Sequence, residues 1–303
     1  MTSTPSLKIA ITGASGLIGT ALQPLLTGAG HEVRAMRRGA SGAEIDIAAL
    51  EGADAVVHLA GAGVADGRWT ASRKKQLVAS RVDFTHALVR ALSSLAVRPA
   101  VLVSGSAIGI YGDRGDEEVT ERSTPGPAKD RKGAAFLSTL CEAWEAEALQ
   151  AQKLGIRVVL ARTGVVLSAS GGALAKMLPP FKVGAGGPIA GGQQWMSWIS
   201  LDDVVRALLH AIVSRDVSGP VNLVAPVPVT NASFSKTLGH VLSRPAILPV
   251  PAFALRIAFG EMADGTVLPS LKVLPRALEG AGFVFTHPRL EGALRAALGK
   301  PAS

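Results

Sequence analysis

Residues 11–19 read Ile-Thr-Gly-Ala-Ser-Gly-Leu-Ile-Gly, and no other stretch of the chain restricts its fold as tightly. The apolar run Leu7–Thr12 leads into it with the length of a buried strand, and Leu17, Ile18, Leu22, Leu25 and Leu26 follow at helical spacing. Strand, glycine turn and helix in that order form the fingerprint of a dinucleotide pyrophosphate cradle. Gly13 permits the tight turn, Gly16 lets the backbone approach a phosphate, and Gly19 lets helix and strand pack closely. Ser15, Leu17 and Ile18 then bring backbone N–H groups to a helix N-terminus whose dipole favours anions.

Downstream, strand and helix patterns alternate. Glu32–Met36 reads as a second strand, Ala43–Ile47 as a short third, and Ala53–Ala60 as a buried strand ending at Gly61. Ser72–Leu95 carries a long helical pattern, with Arg81 set between the apolar positions Val78 and Val82. Ala100–Ser104 is another apolar strand, Ala134–Leu154 a helix stopped by Gly155, and Ile156–Ala161 the next strand. This rhythm predicts an α/β fold, a doubly wound parallel sheet of Rossmann-like type with right-handed crossovers.

After Gly164 the texture changes. Glycine-rich loops at Ser168–Gly172 and Gly184–Gly192 flank Pro179-Pro180. Ser200-Leu201-Asp202-Asp203 has the form of a capping box opening a helix at Val204–Val213. Pro220–Val224 reads as a strand, Thr230–Leu242 as a helix, and Pro245–Gly299 mixes prolines with short helical patterns. The expected division is a dinucleotide-binding domain of residues 1–167 plus about 200–225, with about 168–199 and 226–303 forming a smaller C-terminal substrate lobe.

The formal net charge of +8 raises nucleic acid as a partner. The basic residues are scattered, however, with only Arg73-Lys74-Lys75 and Lys129–Lys132 as short clusters, and aromatics do not interleave with them. A phosphorylated cofactor and a solvated surface account for the charge better. The lone Cys141 excludes an internal disulfide and fits a reducing compartment. With no signal-like N-terminus and no apolar run long enough to span a bilayer, a soluble, cytoplasmic protein away from the membrane is expected. The histidines are dispersed and there is no cysteine cluster, so no metal site is expected. Val103-Ser104-Gly105-Ser106-Ala107 falls short of a nucleophile elbow.

The end of the second strand separates the two nicotinamide cofactors. A carboxylate there binds the ribose hydroxyls of NAD, whereas an arginine accommodates the extra phosphate of NADP. Here the strand runs into Arg37-Arg38, which favours NADP(H). Asp46 is either a contact for the adenine edge or an ordinary turn aspartate.

The chain resembles the extended branch of the short-chain dehydrogenase/reductase superfamily, and within it an atypical epimerase group related to NAD-dependent epimerase/dehydratases. The resemblance rests on residues 12–19, His58–Ala62, Arg68–Thr70, Ser80–Val82, Val103–Gly112 and Phe136–Glu145. It continues through Arg162–Leu167, Pro179–Pro188, Gln194–Val204 and Leu248–Arg256. It implies an extended NADP(H) with its nicotinamide near Leu59-Ala60-Gly61 and Ser104–Ser106, flanked by Arg162, Gly164 and Val165. It leaves the oligomeric state open, with the Ser72–Leu95 and Ala134–Leu154 helices the candidates for a homodimer face. Related sequences carry cell-division labels, which implies a protein partner as the alternative to an unidentified small-molecule substrate.

The chain departs from the superfamily at the chemistry. That superfamily uses a Tyr-x-x-x-Lys pair on the helix after the fifth strand, the tyrosine as acid or base and the lysine to lower its pKa and hold the ribose. This chain has one tyrosine, Tyr111, and Gly115 lies four residues on; the expected helix instead contains Phe136, Leu137 and, near the lysine position, Cys141. The cysteine reads as an inert small hydrophobe. Candidate replacements are Ser104 and Ser106 at a strand end and Tyr111, either projecting into the cleft or packed in the loop wall. Arg68, Arg81 and Arg162 are candidates for oxyanion or carboxylate binding; Arg81 also stands as a cofactor-binding candidate, its alternative an internal ion pair. Trp69, Gln194, Trp195 and Met196 are expected around the substrate, with Trp198 in the core.

Overall fold

The computed structural model describes residues 5–36, 45–126 and 132–301. Six strands form one sheet: β1 (Lys8–Thr12), β2 (Glu32–Ala35), β3 (Ala55–His58), β4 (Val101–Ala107), β5 (Arg157–Thr163) and β6 (Gly219–Leu223). Their order is β6-β5-β4-β3-β1-β2 and every pairing is parallel. The order reverses at β1, whose neighbours are β2 and β3. A crevice opens beyond the carboxyl ends of strands at such a reversal, and ligands bind there.

The side-chain period of two sorts the core into layers. Ile9, Ile11, Val57, Val101 and Val103 face one side of the sheet, against Leu22 and Leu26 of α1 (Leu17–Gly28). The same side packs against Val204, Leu208 and Ile212 of a later helix, Leu201–Val213. Ala10, Val56, Leu102, Val158 and Leu160 face the other side, under Leu88 and Leu92 of the helix Phe84–Ser94 and Ala148 of the helix Lys132–Leu149. The capping box is present at the later helix: Ser200 Oγ accepts from the Asp203 N–H at 3.0 Å.

The helix predicted over Ser72–Leu95 is interrupted. It runs as α2 (Ala71–Val78), a π-helical turn at Ala79–Asp83 and α3 (Phe84–Ser94). The predicted third strand is absent from its described part. Ala43 and Glu44 lie outside the described residues, and Ile47–Leu50 is a single helical turn capped by Asp46, whose Oδ1 accepts from the Ala49 N–H at 3.2 Å. Of the two roles open to Asp46, one oxygen serves the local one, as a helix cap, which Asp readily provides. Pro179 and Pro180 do not sit between loops but in the last turn of a helix, Gly172–Lys182. Burial of Leu174, Leu178 and Phe181 beside Trp198 and Phe234 outweighs the proline penalty there. No helix among the described residues is long and apolar enough to cross a membrane.

Short strand pairs knit the C-terminal residues onto this frame. Val165–Leu167 pairs with Trp198–Ser200, and Lys272–Val273 with Glu118–Val119. Gly133, near the start of α4 (Lys132–Leu149), has no room for a Cβ: one would lie 2.4 Å from the Glu261 carbonyl oxygen.

Candidate functional site

The glycine turn has the geometry that its residues imply. Gly13 sits at φ +70°, and a Cβ there would lie 2.7 Å from the backbone of Leu59 and Ala60. A Cβ on Gly19 would strike the Gly13 carbonyl oxygen at 2.4 Å. These two glycines let β1, α1 and the end of β3 meet. Gly16 differs: it is exposed, has an ordinary φ of −76°, and a Cβ would meet only the Gly13 oxygen at 3.3 Å. No side chain caps α1, so its first N–H groups have no side-chain acceptor at the N-cap. An uncapped helix start behind an exposed glycine fits a pyrophosphate. Arg37 and Arg38 lie outside the described residues.

The opposite wall rises from the end of β3. His58 is fully buried, its Nδ1 2.7 Å from Thr12 Oγ1 and its Nε2 2.9 Å from Thr85 Oγ1. Burial, helped by the nearby Arg81 charge, pushes its pKa down to about 4, so the ring is neutral at neutral pH. Thr12 Oγ1 also accepts from the Ala60 N–H at 3.2 Å. The chain is thereby held in place as it enters Leu59-Ala60-Gly61. Gly61 then passes Arg81 so closely that a Cβ would lie 3.2 Å from the guanidinium carbon.

At the ends of β4 and β5 the polar candidates are consumed in one buried network. Arg162 donates from Nε and Nη2 to the two oxygens of Glu145 at 2.8 and 2.7 Å, and from Nη1 to Tyr111 Oη at 2.8 Å. Tyr111 in turn donates to Asn222 Oδ1 at 2.8 Å, and Ser106 donates to Glu145 Oε1 at 2.6 Å. Burial lowers the Arg162 pKa, but its bonds to Glu145 and Tyr111 outweigh that and raise it overall. Burial pushes the Tyr111 phenol up, against the opposing pull of Arg162. Of the two placements open to Tyr111, the packed one is found: its ring has no exposed surface. Ser104 is likewise fully buried and donates to the Gly105 carbonyl oxygen at 3.3 Å. Arg162 corrects its reading as a free anion binder, because a carboxylate already holds it. Gly164 serves a backbone crossing, where a Cβ would lie 2.7 Å from the Ser197 carbonyl oxygen, and Val165 pairs with Trp198 in the adjoining ladder.

The predicted substrate residues divide. Gln194 joins Asp113, Asp116, Gln193, Arg256 and Ser270 around a cavity of about 330 Å³. Trp195 donates from Nε1 to Oδ1 of Asp116, one of the lining residues, at 2.9 Å. Of the two carboxylates, Asp116 is exposed, whereas Asp113 is buried and accepts from the Ser270 N–H at 3.1 Å. Met196 receives the Asn231 amide on its sulfur, at 3.2 Å. Trp69 is buried against Phe136, with ring centroids 5.2 Å apart, and Arg68 donates to the Ile257 carbonyl oxygen at 2.8 Å. Trp198 is fully buried, as expected.

Residues 9–223 match the model of the NAD dependent epimerase/dehydratase family, and residues 250–297 match a domain of unknown function, DUF1731. The chain belongs to the NAD dependent epimerase/dehydratase family. It is 44% identical over 304 residues to the epimerase family protein Mb2239 of Mycobacterium bovis, covering 97% of this chain and 98% of that protein. The crystal structure of human epimerase family protein SDR39U1 with NADPH aligns at a TM-score of 0.87 and 34% identity, over 96% of this chain and 99% of that one. A nucleoside-diphosphate sugar epimerase from Corynebacterium glutamicum aligns at 0.77 and 34%, over 97% of this chain and 59% of that one.

In this member of the epimerase/dehydratase family, α4 turns an apolar face inward at Leu137, Leu140 and Cys141. Leu137 and Cys141 are buried, and burial pushes the Cys141 thiol up to about 12, so it stays protonated and inert. Trp144 and Glu145, one turn further along α4, were not singled out from the sequence, yet they face Arg81 and Arg162 respectively. The signal was available: Glu145 falls four residues after Cys141, on the same helix face, where an unpaired carboxylate has no place. Its partner Arg162 is far away in sequence and becomes visible only once the sheet brings β5 beside β4.

Proposed function

We propose that this family member binds NADP(H) in the crevice at the switch between β1 and β3 and acts on an unidentified small molecule as an oxidoreductase or epimerase-like protein. The observation that carries this reading is the cradle: Gly16 is exposed, at the uncapped start of α1. Gly13, Ser15, Gly16, Leu17, Ile18 and Gly19 would hold the pyrophosphate; Leu59, Ala60, Gly61 and Arg81 would hold the nicotinamide end. The human relative solved with NADPH supports the choice of dinucleotide, and Arg37-Arg38 supports it from the sequence. When bound, the cofactor supplies a hydride at nicotinamide C4. The chain's own residues exclude water and orient both partners. The cavity beside Gln194 and Trp195 would take the substrate. A cytoplasmic location is part of the same proposal.

One observation favours a second reading, an NADP(H)-sensing regulator with a protein partner and little turnover. Ser104, Ser106 and Tyr111 all donate inside the fold, so none of them offers a proton to the cleft. Calorimetric titration with NADPH and NADH tests the binding shared by both readings. NADPH should bind more tightly than NADH, and Gly16→Ala should weaken it roughly tenfold without unfolding the chain. Absence of NADPH binding would overturn both. Consumption of NADPH across aldehydes, ketones and nucleotide sugars then separates enzyme from regulator.

A further inference from the structure

Arg81 is a half-buried cation without a counter-charge. Its Nη2 donates to the Ala62 carbonyl oxygen at 2.9 Å. Its Nη1 makes only long bonds of 3.4 Å, to the Leu77 carbonyl oxygen and Ser80 Oγ. Among the described residues no carboxylate pairs with it. Its Cζ lies 5.2 Å from the centroid of the Trp144 ring, whose own indole N–H is buried with no acceptor among the described residues. Isolated desolvated charges and unpaired donors are costly, and they persist where something else completes them. The residue also sits in the π-helical turn, a distortion frequently found at functional sites.

The place matters as much as the charge. Arg81 lies against Gly61, at the wall proposed for the nicotinamide end. Its charge also reaches Cys141, the residue near the expected lysine position. The other groups that face it are uncharged: His58 is neutral, Cys141 is a thiol, and Trp144 is an indole. The nearby Arg73 adds to the positive potential.

We propose that Arg81 carries, from the π turn of a different helix, the positive charge that the Tyr-x-x-x-Lys lysine supplies elsewhere, and that this unpaired charge makes the site select reduced over oxidised dinucleotide. The inference rests on the NADP(H) reading above. An oxidised nicotinamide ring is cationic and the reduced ring is neutral. A fixed cation beside the ring in a partly desolvated wall therefore penalises the oxidised form alone. The tyrosine's acid–base role is not replaced by this arrangement; the cation's electrostatic role is.

The test is titration of wild type, Arg81→Gln and Arg81→Lys with NADPH and with NADP⁺, alongside circular dichroism and thermal melts. Wild type should bind NADPH about tenfold or more tightly than NADP⁺. Arg81→Gln should shrink that ratio about tenfold, mainly by improving NADP⁺, whereas Arg81→Lys should keep most of it. A general loosening of the site would weaken both dinucleotides together and leave the ratio alone. A folded Arg81→Gln with an unchanged ratio overturns the proposal. So does a wild-type ratio near or below one, which keeps the test open should the variant fail to fold. Equal binding of the two dinucleotides removes only the charge assignment; no binding of either removes the cofactor reading itself.

Discussion

Arg162 and Arg81 flank the same helix, α4, and differ in almost everything but residue type. Arg162 is buried, doubly bonded to Glu145 and bonded again to Tyr111, so each of its nitrogens has a partner. Arg81 has backbone carbonyls, one serine and an aromatic face. A charge answered inside the fold belongs to the framework. A charge left unanswered beside an open cleft points to something outside the fold.

The sharpest way to break this contrast is to unpair the settled arginine. Glu145→Gln keeps the side-chain shape and removes the counter-charge, leaving Arg162 unanswered as Arg81 is. Breaking a buried pair from one side typically costs about 3–5 kcal/mol, and urea unfolding should show a loss of that size. Arg81→Gln, which removes a charge with no partner to strand, should stay within about 1 kcal/mol of wild type. If the two variants lose similar stability, Arg81 is framework too and the distinction fails.

A second comparison concerns pH. His58 is held neutral by burial and by the Arg81 charge, with its pKa lowered from 6.5 to about 4. Between those values the unfolded chain takes up a proton at this ring and the folded chain does not. Stability is therefore full above pH 6.5 and falls as the pH drops towards 4. The whole effect is about 3 kcal/mol. Unfolding free energy measured across this window should lose that slope in His58→Gln. An unchanged slope would assign the acid sensitivity to other groups.

Much of this molecule is legible in its sequence. The spacing of Gly13, Gly16 and Gly19 is a local signal, and so are the alternating strands and the capping box at Ser200. The interrupted helix at Ala79–Asp83 was not legible, because the four-residue steps Val78 to Val82 and Leu88 to Leu92 are those of an uninterrupted helix. The prolines at 179 and 180 misled because the packing that overrides them comes from Trp198 and Phe234, distant in sequence. The candidate site divides on the same line. Residues in the glycine turn depend on neighbours a few positions away. Ser106, Tyr111 and Arg162 depend on Glu145 and Asn222, which only the sheet assembles. A polar residue at a strand end looks equally available in sequence whether or not a distant partner has claimed it.

Tyr111 carries the smallest expected effect, and it separates framework from chemistry most directly. Tyr111→Phe keeps the ring in its cavity and deletes the hydroxyl that joins Arg162 to Asn222. Asn222 Oδ1 loses its donor, although its Nδ2 still donates to the Leu274 carbonyl oxygen at 3.0 Å and Arg162 keeps Glu145. The unmet acceptor on Asn222 and the unmet donor at Arg162 Nη1 together cost about 2 kcal/mol, so the unfolding midpoint should fall by a few degrees. A proton donor would behave differently: its removal should lower turnover by about 10²–10⁴-fold on any substrate that consumes NADPH. The buried placement predicts the modest stability loss with unchanged NADPH affinity and turnover. A collapse of turnover with stability intact would return Tyr111 to the cleft and set it beside Arg81, as acid and cation drawn from two different elements.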